Sequence, residues 1–182
     1  MKQHVLFIQG GGRGAHEEDA VLSASLQQAL GDNYAVRYPQ MPNEADPEMA
    51  AWMAKIANEL AALDGEIFLL GHSMGGAALL KYLSEQPVDR PIAGLFLLAA
   101  PSWDEHDWNF DDLKLPHDMA KRLSRIPRIF LYHSRDDEIV PFAHLALHAA
   151  RLPQATLRVS DGRGHQFGND LADVAQDISG AG

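Results

Sequence analysis

A serine flanked by two glycines lies between a predicted strand and a predicted helix, at residues 71–75 (G-H-S-M-G). The largely apolar run 66–70 before it predicts a buried strand, and the small and apolar residues 76–82 after it predict a helix. A chain that turns this sharply from strand to helix holds the serine in a strained conformation, and bulky side chains two residues to either side would collide. The sequence therefore predicts a strained corner with Ser73 at its tip.

Two later predicted strands are followed by residues that could assist a serine. Residues 128–133 read as a buried strand, and a loop containing Asp136 and Asp137 follows it. Residues 155–159 read as the next strand, and a glycine-containing loop with His165 follows that one. Open α/β sheets place their sites at the carboxyl ends of strands, so these side chains are expected at one edge of the sheet. Serine, acid and histidine also follow one another in the chain order expected after a corner of this kind.

The rest of the chain alternates between strand and helix patterns. Strands are predicted at 5–8, 34–38, 66–70, 92–99, 128–133 and 155–159, and long helices at 17–30, about 47–63 and about 166–178. Such alternation indicates an α/β fold with a parallel sheet and right-handed crossovers. A chain of 182 residues is within the usual size of one domain, so a single domain spanning 1–182 is expected.

Three motifs together resemble those of the serine α/β-hydrolase superfamily: G-H-S-M-G-G at 71–76, D-D-x-x-V-P at 136–141 and G-x-G-H at 162–165. The chain looks most similar to the small members with a minimal lid, those like retinoblastoma-binding protein 9, over nearly its whole length. The resemblance implies a three-layer α/β-hydrolase fold with a mostly parallel six-stranded sheet in the order 2-1-3-4-5-6. It also implies a serine hydrolase that cleaves a carboxylic ester or related acyl substrate (EC 3.1.1, carboxylesterase-like) through an acyl-enzyme.

The chemistry of a catalytic triad assigns a role to each candidate. A serine hydroxyl is a weak nucleophile at neutral pH, so His165 would take the Ser73 proton and later donate it to the leaving group. An acid must hold the imidazole in the correct tautomer, and the residues alone leave Asp136 and Asp137 both open. The family pattern D-x-x-V-P has its acid first, so the resemblance implies Asp137, with Asp136 as a loop residue bonded to backbone.

Acyl transfer also needs donors for the oxyanion. The backbone N–H of Met74 follows the nucleophile and opens a helix whose dipole attracts negative charge. The second donor should come from the loop after the first strand, where the family usually has His-Gly-x with the donor at x. Here residues 9–11 read Gln-Gly-Gly, so the resemblance implies Gly11, with Gln9 replacing the usual histidine.

Other histidines need separate interpretations. His144 and His148 lie four residues apart on a probable helix, a spacing that can bind a metal. There is no Glu beside His144 and no cysteine in the chain, so a surface helix face is expected rather than a metal site. We expect neither a metal nor a cofactor. His72, which precedes the nucleophile, is expected to pack against or support the corner.

Two alternatives to a hydrolase remain open. Residues 10–15 fit the dinucleotide fingerprint G-x-G-x-x-A after a first strand, but that motif expects an acid near the end of the second strand. No acid stands there, since Glu44 comes late. A non-catalytic binding protein on a hydrolase fold is the other alternative.

A long connecting segment, residues 100–125, follows the fourth predicted strand. In hydrolases of this type, insertions at this point cap the site. Trp103, Trp108 and Phe110 could shape an acyl or leaving-group pocket there, or could simply pack the segment onto the body.

Composition limits the partners. A net charge of −10 disfavours nucleic acid, whose phosphates attract basic surfaces. The absence of cysteine gives no sign of an oxidising compartment, and no run is long and apolar enough for a membrane span. A cytoplasmic protein acting on a small acyl substrate is expected, with no membrane partner.

Overall fold

A computed structural model describes residues 2–103 and 114–180 of the chain. The strands are β1 Gln3–Ile8, β2 Tyr34–Arg37, β3 Ile67–His72, β4 Ile92–Leu98, β5 Ile129–Ser134 and β6 Thr156–Ser160. The helices are α1 Ala15–Leu30, α2 Met49–Ala61, α3 Met74–Glu85, α4 Met119–Arg122, α5 Ala143–Arg151 and α6 Ala172–Ser179, with a short 3₁₀ helix at Phe167–Asn169.

The six strands form one sheet in the order β2-β1-β3-β4-β5-β6, and every neighbouring pair is parallel. The predicted fold class and strand order are therefore confirmed. Because the strands are parallel, their carboxyl ends meet at one edge of the sheet. The strand order reverses between β1 and β3, where open α/β sheets form their crevice.

The core lies on both faces of the sheet. On one face Leu6 and Ile8 of β1 belong to a buried cluster that includes residues of α2 and α3. On the other face Val5 and Phe7 belong to a cluster that includes residues of α1 and α6. Burying one such side chain contributes about 1.5–3 kcal/mol. The strands read as nearly continuous apolar runs because helices cover both of their sides.

The prediction of one continuous helix over about 166–178 is wrong. The 3₁₀ helix ends at Asn169, and α6 begins at Ala172. Gly168 and Asn169 have left-handed backbone angles, with φ of 60° and 59°, which a continuous α-helix does not allow. The Asp170 carboxylate then accepts the Ala172 N–H at 2.9 Å and satisfies a free amide where α6 begins.

The longest of the described helices, α1, has 16 residues. Within residues 2–103 and 114–180, no helix combines the length and the apolar character that crossing a membrane requires.

Candidate active site

The corner between β3 and α3 has the strained backbone that the sequence predicts. Ser73 has φ 50° and ψ −122°, a conformation that costs a residue with a side chain about 1–3 kcal/mol. A Cβ on Gly71 would lie 2.6 Å from the Gly76 Cα, and a Cβ on Gly75 would lie 2.3 Å from the Ile8 carbonyl oxygen. Glycine is required at both positions because any side chain would overlap backbone atoms.

The loops after β5 and β6 bring Asp137 and His165 together. The Nδ1 atom of His165 lies 3.0 and 2.9 Å from the two Asp137 carboxylate oxygens. Asp136 has a different role, since it accepts the Ser134 hydroxyl and the Gly162 N–H and so links the two loops. Of the two candidate acids, Asp137 is the one bonded to His165. With Nδ1–H donating, the other ring nitrogen, Nε2, is left to accept a proton.

The Asp137 carboxylate is fully buried and has several donors. Burial alone would raise its pKa, but hydrogen bonds from His133, His165 and the Val140 and Ile139 N–H groups outweigh burial and lower the pKa below its ordinary value. The carboxylate therefore stays charged at neutral pH. Sequence reasoning assigned His133 only to a buried strand. Its Nε2 in fact lies 3.2 Å from Asp137, and its position four residues before that acid was the available signal.

His165 lies beside the Ser73 corner. Its ring centroid is 4.7 Å from that of His72, the residue before Ser73, and the His72 Nε2 is 3.0 Å from the His165 carbonyl oxygen. The Ser73 hydroxyl makes no hydrogen bond to any residue that the structure describes.

The two expected oxyanion donors are adjacent. A Cβ built on Gly11 would lie 3.2 Å from the Met74 Cβ, so the two backbones approach closely. In the described part of the chain, neither the Gly11 N–H nor the Met74 N–H donates to another group. Met74 begins α3, where the helix dipole favours a negative charge.

Comparison with known proteins identifies the family. The sequence profile of the serine hydrolase family matches residues 16–169. The chain belongs to the serine hydrolase family. It is also 25% identical to YdeN of Bacillus subtilis (strain 168) over 138 residues, which are 75% of this chain and 72% of YdeN.

Solved structures share the fold of this serine hydrolase. The ydeN gene product from B. subtilis superposes with a TM-score of 0.78 at 20% identity, over 99% of this chain and 98% of the other. The CarC serine hydrolase involved in carbazole degradation gives 0.72 at 15% identity, over 98% and 90%. Est1E from Butyrivibrio proteoclasticus with ferulic acid bound gives 0.68 at 15% identity, over 98% and 87%.

Gln9 anchors the loop after β1 in this serine hydrolase. Its side chain is buried, and its Nε2 donates to Glu44 at 2.7 Å while its Oε1 accepts the Met41 N–H at 3.0 Å. The Nδ1 of His16 lies 2.9 Å from the same oxygen. Gln9, which stands where the family usually has histidine, is thus held by hydrogen bonds to three other residues. Sequence alone gave no sign of this, because Glu44 and Met41 come from the segment after β2.

The start of α1 argues against the dinucleotide alternative. The Glu44 carboxylate accepts the N–H groups of Gly14 at 3.0 Å and His16 at 2.9 Å. These are the amides at which a pyrophosphate would bind. The pKa of Glu44 is lowered, mainly by the hydrogen bond from Gln9, so its carboxylate is charged. A pyrophosphate would therefore meet a negative charge at this position.

The expectation of a surface face for His144 and His148 is wrong, since α5 buries both side chains. The His144 Nδ1 accepts the Ser102 N–H at 2.8 Å, and the His148 Nε2 donates to the Ala100 carbonyl at 3.1 Å. The pair ties α5 to the segment after β4. Among residues 2–103 and 114–180, no group of three or more His, Cys, Asp and Glu side chains could hold a metal.

Of the three aromatic residues expected at a pocket, Trp103 is buried within the apolar cluster on the α2 and α3 face. Trp108 and Phe110 lie outside the described residues, as do all of residues 104–113 in the segment 100–125 that was expected to cap the site. A groove of about 730 Å³ runs between α2 and α3 and is lined by residues such as Met53 and Lys81. None of the site residues lines it, so it is separate from the corner at Ser73.

Proposed function

We propose that this serine hydrolase cleaves a carboxylic ester or a related acyl compound of small size, with Ser73 as nucleophile, His165 as base and Asp137 as acid. The observation that carries the proposal is the strained Ser73 corner, which lies beside two unpartnered backbone N–H groups within the described chain and beside the His165–Asp137 pair. Est1E, whose fold is similar, has been solved with ferulic acid bound.

The acylation half-reaction follows from this arrangement. The His165 Nε2 takes the Ser73 proton as the hydroxyl oxygen attacks the substrate carbonyl carbon. The carbonyl oxygen becomes an oxyanion, which accepts hydrogen bonds from the Gly11 and Met74 N–H groups. Asp137 stabilises the imidazolium. The tetrahedral intermediate then expels the alcohol, which receives the proton from His165, and the acyl group remains on Ser73.

Deacylation uses the same residues with water as the nucleophile. His165 takes a proton from a water molecule as the water oxygen attacks the acyl carbon. The oxyanion of the second tetrahedral intermediate accepts hydrogen bonds from the same two N–H groups. Its collapse returns the proton to Ser73 and releases a carboxylic acid. Thioesters and amides could pass through the same steps, so the substrate class within acyl compounds must be tested directly.

The decisive experiment is covalent labelling with a fluorophosphonate probe, with the labelled peptide identified by mass spectrometry. We expect labelling at Ser73 in the wild-type protein and none in Ser73→Ala, with ester turnover lowered by about 10⁶-fold. Ser84→Ala is the matched control, because Ser84 lies on the same helix, α3, with its hydroxyl bonded to the Leu80 carbonyl. Labelling that persists in Ser73→Ala would refute the assignment.

An unlabelled wild-type protein would instead favour a binding protein on a hydrolase fold. For a labelled protein, turnover of a panel of chromogenic esters, thioesters and anilides of increasing acyl length then defines the substrate class. We expect esters to be cleaved fastest.

A further inference from the structure

A second buried pair of carboxylate and imidazole lies beneath the Ser73 corner. Asp19 on α1 and His72 at the end of β3 are each 1% exposed. The His72 Nδ1 lies 2.9 Å from both Asp19 oxygens. The triad chemistry proposed above does not use either residue.

The surroundings of His72 indicate its protonation state. Its Nδ1 faces the Asp19 carboxylate, and its Nε2 faces the His165 carbonyl oxygen at 3.0 Å. A neutral imidazole has one donor and one acceptor nitrogen, whereas an imidazolium has two donors. Since both nitrogens face oxygen acceptors, the geometry favours an imidazolium that donates to both.

The surroundings of Asp19 favour its charged form. One oxygen accepts the Gly10 N–H at 2.7 Å, and the other accepts the Gln166 side-chain amide at 3.1 Å. Burial alone would raise the pKa of Asp19, but the charge and hydrogen bond of His72 reverse this and lower it. Burial alone would likewise lower the pKa of His72, and Asp19 raises it instead, with a smaller contribution from the charge of Asp137.

The pair joins three chain segments that arrive from different strands. Asp19 accepts the N–H of Gly10, the residue before the expected oxyanion donor Gly11. His72 is the residue before Ser73, and it also holds the carbonyl of His165. A charged hydrogen-bonded pair is about twice as strong as a neutral one, so it can fix these segments relative to one another.

We propose that Asp19 and a protonated His72 form a buried ion pair that acts as a positioning unit, fixing the His165 loop and the Gly10–Gly11 loop against the Ser73 corner. This role rests on the function proposed for Ser73 and His165. The ion pair itself does not, and can be tested separately.

The protonation state is tested by ¹⁵N NMR of the histidine rings in the full-length protein, with the His72 signals assigned by their loss in His72→Gln. We expect both His72 ring nitrogens to carry protons at pH 8, where an ordinary histidine is neutral. A neutral His72 at that pH would overturn the proposal, whether or not the protein hydrolyses esters.

The positioning role is tested with Asp19→Asn, which keeps the side-chain shape but removes the charge. We expect kcat for a chromogenic ester to fall about 10- to 100-fold, because small displacements of reacting groups have effects of this size. KM should change about 3-fold at most, since positioning of the reacting groups affects turnover rather than substrate affinity.

Asp177→Asn is the matched control. Asp177 is another buried carboxylate with charged and hydroxyl partners, Arg158 and Tyr132, and none of its described contacts is a site residue. We expect it to lower stability and leave kcat unchanged. If Asp19→Asn leaves kcat unchanged, or if Asp177→Asn lowers kcat equally, the positioning role is refuted. A wild-type protein that lacks probe labelling and turnover would refute the proposed function instead.

Discussion

Two buried carboxylates in this molecule, Asp137 and Asp177, are held by different kinds of partner. Asp137 accepts from the ring of His165 and from two backbone N–H groups at the carboxyl edge of the sheet, and the His133 Nε2 lies 3.2 Å from it. Asp177 on α6 accepts from the Arg158 guanidinium at 2.6 and 2.9 Å and from the Tyr132 hydroxyl at 2.7 Å. Both acids have a pKa below the ordinary value, although burial opposes this in each case.

The difference lies in whether the partners can exchange protons. A guanidinium and a phenol keep their protons at neutral pH, and burial raises the pKa of Tyr132 further. An imidazole changes its charge between about pH 5 and 8. Under the proposed mechanism, Asp137 therefore supports an imidazole that moves a proton, that of His165, whereas the partners of Asp177 keep theirs. Burial of a carboxylate alone does not distinguish a reactive site from a structural one; between Asp137 and Asp177 the distinction lies in the chemistry of their donors.

The largest effect should come from Asp137→Asn. The new side-chain amide would donate to His165 and hold it in the wrong tautomer, so we expect kcat to fall about 10⁴-fold. Asp136→Asn is the matched control, since Asp136 lies next in sequence and bonds to Ser134 and Gly162 instead. Steady-state kinetics on one chromogenic ester compares the two variants. Equal and small losses would mean that the acid has been misplaced.

A smaller loss of kcat is expected from Glu44→Gln. This variant extends the comparison to a carboxylate that accepts hydrogen bonds from backbone N–H groups. Glu44 accepts three hydrogen bonds around the loop that contains the proposed oxyanion donor Gly11, from Gln9, Gly14 and His16. Removing an oxyanion donor typically costs about 10²- to 10³-fold, and displacing one should cost less, so we expect kcat to fall about 10-fold.

The control for that change is Glu18→Gln, which removes an exposed charge from the first turn of α1. Its kcat should equal that of the wild type. Indistinguishable values for Glu18→Gln and Glu44→Gln would show that Glu44 does not support the loop.

The smallest effect on activity should come from Asp177→Asn, which should instead change stability and its dependence on pH. The pKa of Asp177 is lower in the folded state than in the unfolded chain. It therefore stabilises the fold above about pH 4, and that contribution is lost as pH falls through the folded pKa. Denaturant unfolding at a series of pH values between about 2.5 and 7 should show that the free energy of unfolding falls less steeply with decreasing pH in Asp177→Asn than in the wild type. An identical slope in the two proteins would contradict this account.

The sequence predicted the sheet well because apolar runs and glycine turns are local signals. The strand order followed from a family resemblance, and the Ser73 corner from the collision of side chains at its two glycines. The break at Gly168 was missed because an apolar periodicity continues across it into α6.

Most residues that support the candidate site could not be predicted from the sequence. Asp19 and His72 are 53 residues apart, and only the fold brings them together. Burial of His144 and His148 was missed because a histidine suits both core and surface, and no local pattern shows which neighbour will cover it. Local sequence thus predicts the proposed reacting groups, while the residues that contact and support them depend on tertiary contacts.

The contact between Glu44 and the start of α1 has a consequence for directed evolution. The segments after β1 and after β2 are separate in sequence, yet they are bonded as one unit through Gln9 and Glu44. A mutant library confined to residues 9–16 would vary the loop while Glu44 stays unchanged, and most members with a substitution at position 9 would lose the side-chain hydrogen bond to Glu44. Randomising positions 9 and 44 together would instead allow a new pair of side chains to join the two segments, so that altered loop conformations keep their support.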